Sequence, residues 1–114
     1  MLRRPLLLLL LLAGCSKGPE ADLPSISAAR SLAAEWALVN EQASEGHLTN
    51  AYVKTMRESV REQLQTNAKS LTEPKSDYAS EIAALLREPD AAAAAALRAH
   101  ASKLKKVEDS LESA

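Results

Sequence analysis

The sequence predicts an all-α fold, a small antiparallel helical bundle of three long helices and one short helix, preceded by a segment that is not part of it. Three observations carry that expectation. Apolar residues recur at alternating steps of three and four along most of the chain. Gly46, Pro74 and Pro89 fall between these stripes rather than within them. No stretch alternates with period two for long enough to suggest a strand.

The first helix is expected from about Ser25 to Ser44, with Ala29, Leu32, Trp36, Val39 and Ala43 on one stripe and Gly46 as its stop. The second begins near Thr49, a good N-cap, with Leu48 placed to pack against Val53 as a staple. Its stripe runs Val53, Met56, Val60, Leu64, Ala68 and Leu71, and Pro74 lies beyond its end. The short helix covers about Ser76 to Glu88 and turns Tyr78, Ile82 and Leu85 one way. Pro89 breaks it, Asp90 is expected to cap the last helix, and that helix runs from about Ala91 to Leu111 through Leu97 and Leu104. The heptad-like stretches are too short for a long coiled coil, so the elements must fold back on one another.

Composition narrows the function. The aromatics are Trp36, Tyr52 and Tyr78, so the core is built from Leu, Ile, Val and many Ala. A domain of this size with small core side chains has modest stability and gains from a partner. The chain has 14 basic and 15 acidic residues, a balance without the clustered basic surface that nucleic acid requires. Its glycines, Gly14, Gly18 and Gly46, form no phosphate-binding loop. No nucleophile–base or carboxylate pair stands out from the general surface charge, so no catalytic residue is assigned and an enzyme is not expected. His47 reads as an exposed turn residue and His100 as a residue at the core margin, able in principle to respond to acidity. Neither makes the spaced His/Glu pairs of a bundle metal site, so no metal ligand or cofactor is expected. The run Ala91 to Ala96 reads as an ordinary helix start or as a close helix contact. Lys103, Lys105 and Lys106, followed by Glu108 and Asp109, read as a solvated face with intrahelical pairs.

The amino-terminal segment carries the most specific signal. Arg3 and Arg4 precede an unbroken leucine run from Leu6 to Leu12. That run is far short of the roughly 20 apolar residues a spanning helix needs. A basic start, a short apolar stretch and small residues form the pattern of a secretory signal. At Leu12-Ala13-Gly14-Cys15 the segment resembles the lipobox of bacterial lipoprotein precursors.

The resemblance implies that a dedicated signal peptidase recognises Leu12, Ala13 and Gly14 and cuts before Cys15, whose thiol carries a diacylglycerol. Cys15 is the chain's one cysteine, so an intramolecular disulfide is excluded and lipidation gives the thiol a role. Two or more acyl chains anchor stably where one binds reversibly. The expected organisation is a signal peptide over 1–14, a lipidated cysteine and flexible tether over 15–24, and a helical domain over 25–114. Loss of Arg3 and Arg4 with the leader leaves 12 basic and 15 acidic residues, a formal charge of −3. Ser16, where an aspartate would mark inner-membrane retention in enteric members of the family, points to the outer membrane with the domain in the periplasm. The expected function is then a non-catalytic accessory or interaction module that docks on an envelope protein or on itself, near the lipid bilayer that holds acylated Cys15. The alternative is a helical binding module for a lipid or other apolar ligand, housed around Trp36, Tyr52 and Met56.

Overall fold

The computed structural model describes residues 18–113. They form four helices: α1 (Pro19–Ser44), α2 (Asn50–Lys69), α3 (Asp77–Leu86) and α4 (Ala94–Glu112). The all-α bundle of three long helices and one short one is the fold the periodicity predicts.

α1 is the spine. It packs against all three other helices, most extensively α4, while the backbones of α2 and α4 make no close approach to each other. Cross-links fix the directions. Ser25 meets Ser70 and Asn40 meets Arg57, so α1 and α2 run antiparallel. Arg30 meets Glu108 and Glu41 meets Arg98, so α4 is antiparallel to α1 as well. Ile26, Leu64, Ile82, Leu85, Leu97 and Leu104 are fully buried between the helices. Alanines at 29, 33 and 37 are also fully buried on α1, and their small side chains let the neighbours approach the spine closely.

The turn chemistry is local. Gly46 takes a positive φ of 77°, and its N–H donates to Ala43 while that of His47 donates to Gln42. This is a Schellman closure, which spends orphan carbonyls of the last turn of α1. Thr49 caps α2 by accepting from the Tyr52 N–H, as its position predicts, and Ser76 caps α3 through the Ala79 N–H.

Two boundaries differ from expectation. α1 starts at Pro19, six residues before Ser25, so residues 19–24 belong to the bundle and not to a flexible tether over 15–24. Gly18 turns the chain with φ 89°, Pro19 occupies the first turn where its missing N–H costs nothing, and Glu20 and Asp22 complement the positive end of the helix. Pro24 lies inside the helix and withholds one backbone bond. Pro24 and Glu20, whose carbonyl it leaves free, are both exposed, so the missing bond is not buried. The last helix begins at Ala94, not Ala91, and Asp90 does not cap it. The first half of the alanine run is instead a connector, with Ala92 buried in the core.

Asp90 is held by other partners. Its carbonyl accepts from Trp36 Nε1 at 3.0 Å and from Asn40 Nδ2 at 3.0 Å, and its carboxylate pairs with Arg61 at 2.9 Å. Arg61 also donates to the carbonyls of Leu86 (2.7 Å) and Glu88 (2.8 Å), and its guanidinium lies 4.8 Å from the centre of the Trp36 ring. One arginine thus closes the end of α3, fixes the 87–93 connector and stacks on the central tryptophan.

Candidate functional site

The residues the sequence singles out for processing and lipidation, Leu12, Ala13, Gly14 and Cys15, lie outside the described residues. The structure instead defines the end of the bundle from which that segment departs.

At this end Gly18 and Thr72 are clasped: the Gly18 N–H donates to Thr72 Oγ1 and the Thr72 hydroxyl donates to the Gly18 carbonyl, both at 3.2 Å. Below the clasp lies Asp22, only 1% exposed. Its carboxylate accepts from the Thr72 N–H (2.8 Å), the Glu73 N–H (3.1 Å) and the Tyr78 hydroxyl (2.5 Å). The start of α1 and the 72–78 segment, distant in sequence, thus meet on one side chain. Burial alone would push the Asp22 carboxyl up, but the hydrogen bonds, led by Tyr78, outweigh it and hold the group below its ordinary range. Burial, reinforced by the neighbouring carboxylate, pushes the Tyr78 hydroxyl up to about 12.

Beside this node an open groove of about 410 Å³ runs between the start of α1 and the last turns of α4. Pro19, Tyr78, Val107 and Leu111 give it apolar walls, and Asp77 and Lys106 add one charge of each sign. A larger groove of about 600 Å³ lies at the opposite end, between the α1–α2 turn and Ala91–Ala94, with Arg57 and Asn40 among its lining residues.

His100 is the residue whose surroundings exceed the expectation most. Its side chain is 13% exposed and sits between two carboxylates. Nδ1 faces Glu81 of α3, and Nε2 faces Glu88 of the connector at 2.7 Å. The two carboxylates bind opposite edges of the imidazole, so the three groups do not converge on a common point. Among the described residues no group of three or more His, Cys, Asp or Glu side chains is placed to hold a metal ion. Replacing His100 with Ala leaves Glu81 and Glu88 without their shared partner and is expected to cost about 1–3 kcal/mol. Urea unfolding at neutral pH checks this, and an unchanged midpoint would show that both carboxylates simply turn to solvent.

The remaining expectations are met unevenly. His47 is exposed, as expected, and contacts Gln42 and Glu45. Lys105 pairs with Asp109 at 2.8 Å on the solvated face. Glu108 of the same acidic run points inward, 6% exposed, and receives Arg30 of α1 at 2.5 Å. The Arg30 guanidinium, against the opposing effect of burial, holds its carboxyl below the ordinary range. Trp36 is 1% exposed whereas Tyr52 is 50% exposed, so the two rings share no interior space.

Asp22, Glu81 and Glu88 are the residues sequence reasoning missed. Asp22 had a signal: with Gly18, Pro19 and Glu20 it completes a helix-start pattern. The glutamates had none, because their pairing with His100 exists only after α3 and α4 have packed. Among the described residues no helix is long and apolar enough to cross a membrane. Comparison of the chain with known protein families, curated proteins and solved structures gave no match.

Proposed function

We propose that this chain is the precursor of a lipid-anchored bacterial envelope lipoprotein whose helical bundle acts as a non-catalytic accessory or interaction module close to the membrane. The observation that carries the reading is Leu12-Ala13-Gly14-Cys15 at the end of a short leucine run, a pattern that resembles a lipobox. The position of α1 supports it in a second way. Helix begins four positions after Cys15, so a lipid there fastens directly to a folded body. The partner is an envelope protein within reach of that body or a second copy of it.

The test is metabolic labelling with a fatty acid, combined with membrane fractionation and in-cell crosslinking of the tagged full-length protein. The wild type is expected to take up label, sediment with membranes and crosslink to a membrane-proximal protein or to itself. Cys15→Ser is expected to lose all three. Unlabelled wild-type protein, or a Cys15→Ser variant that still sediments with membranes, would overturn the anchor. Retained anchoring without any crosslink would overturn the accessory role. The reading as a module for an apolar ligand receives no support at its expected location, since Trp36 is sealed in the core beneath Arg61.

A further inference from the structure

We propose that the groove walled by Pro19, Tyr78, Val107 and Leu111 is a membrane-contact surface, seated on the phospholipid interface that holds the acyl chains of Cys15. The proposal rests on the lipoprotein reading and adds to it an orientation and a contact face.

The length of chain between anchor and bundle supplies the first argument. Three steps separate Cys15 from Gly18, and an extended chain covers at most about 3.3–3.6 Å per residue. Gly18 therefore lies within about 11 Å of the lipidated cysteine. Gly18 is itself fixed, because the Thr72 clasp and the Asp22 node tie the start of α1 to the 70–77 loop. The tether has no slack inside the bundle to pay out.

Surface chemistry supplies the second argument. The apolar groove opens at this same end, with Pro19 as one wall. Val107 and Leu111 are only partly covered, although both lean on the core. Leu38 and Tyr52, the exposed large hydrophobic residues among the described residues, belong to α1 and α2 beyond this end and are not part of the groove. Asp77 and Lys106 cancel in charge, so the attraction is apolar burial at the headgroup–acyl boundary rather than attraction to anionic lipid. α1 has 26 residues, about 39 Å at 1.5 Å per residue. Seating the groove on the bilayer therefore stands the bundle on end and presents the Arg57 and Ala91–Ala94 groove at the far tip.

The test uses the full-length lipidated protein in vesicles of phosphatidylethanolamine and phosphatidylglycerol, with a quencher on the headgroups. Lipidated Cys15 has no free thiol, so Lys75→Cys and Glu45→Cys each accept one fluorophore, at the near and far ends. Severalfold stronger quenching at position 75 than at 45 is expected; equal quenching would overturn the end-on orientation. A Gly/Ser spacer of about 12 residues between Lys17 and Gly18, with a mean span of about 19 Å, then removes the constraint of the short tether. Quenching at 75 is expected to persist with the spacer and to be lost when Val107→Ser and Leu111→Ser are added. Loss with the spacer alone would show that the tether, not the groove, sets the position. Mass spectrometry separates the two levels of failure. A Cys15 without lipid overturns the anchoring reading and this proposal with it, whereas a lipidated protein with an unquenched position 75 overturns the contact surface alone.

Discussion

Replacing Trp36 with Ala is expected to destabilise the bundle by about 3–5 kcal/mol, the usual cost of removing a large buried aromatic side chain. Against the total stability of about 5–15 kcal/mol typical of a folded domain, that loss is a large share of the margin. The size follows from what the ring does. It sits at 1% exposure in the middle of α1, the helix that touches every other helix. It donates from Nε1 to the Asp90 carbonyl at 3.0 Å and forms the surface on which Arg61 lies. Its removal opens a cavity, withdraws one support from the connector and leaves Arg61 without its stacking partner.

Trp36→Phe separates these contributions. It keeps much of the apolar area and an aromatic face for Arg61, and loses the N–H together with the few carbons by which an indole exceeds a phenyl ring. The Asp90 carbonyl retains Asn40 Nδ2 as a donor, so the expected cost is about 1–2 kcal/mol, near that of one hydrogen bond with imperfect packing. Urea unfolding of both variants in an unlipidated Cys15→Ser background checks the pair. Equal losses for Ala and Phe would place the energy in the hydrogen bond and contradict the packing account.

The difference between what the chain revealed and what it concealed lies in the range of the interactions. The stripes on α2 and α3 were legible because a helix face is defined within a few turns: Val53, Val60, Leu64, Tyr78, Ile82 and Leu85 are all buried. Caps at Thr49 and Ser76 are equally local. The start of α1 was misread because Gly18, Pro19 and Pro24 suggest a linker when weighed only as helix breakers. Position reverses their meaning, since proline in the first turn favours a helix, and Pro24 is tolerated on the exposed side. The start of α4 was misread for the opposite reason. Alanine propensity favours helix from Ala91, but Asn40 Nδ2 donates to the Ala92 carbonyl at 2.8 Å and the connector around it stays non-helical. Tertiary hydrogen bonds override a weak local preference. The same holds for the groove beside Asp22: its apolar walls come from the start of α1, α3 and the end of α4, and no local pattern joins Pro19 to Leu111.

Asp22→Ala is expected to cost about 3 kcal/mol and to change the pH dependence of stability at both ends. The energetic part comes mainly from Tyr78, whose hydroxyl is left buried without an acceptor, at about 1–3 kcal/mol for such a group. The Thr72 and Glu73 N–H groups lose a charged acceptor too, but both residues are exposed and water replaces part of the loss. The sign of the acid effect follows from linkage. Hydrogen bonds hold the Asp22 carboxyl below its ordinary value in the fold, so its contribution is present above the unfolded value and is lost as pH falls through the folded one. Without Asp22 the acid limb becomes shallower, with Glu108 still contributing to it. Tyr78 works in the other direction. Its hydroxyl, pushed up to about 12 in the fold from 10, contributes stability that is complete below pH 10 and is lost as pH rises towards 12. Burial is the larger cause and the Asp22 bond the next, so the alkaline limb shrinks in Asp22→Ala, and Tyr78→Phe removes the whole of this tyrosine's share of it. Urea unfolding across acid and alkaline pH resolves the two limbs. An acid limb unchanged in Asp22→Ala would show that this carboxylate is not what joins the first turn of α1 to the 70–77 loop, and the fixing of that turn would rest on the Gly18–Thr72 clasp alone.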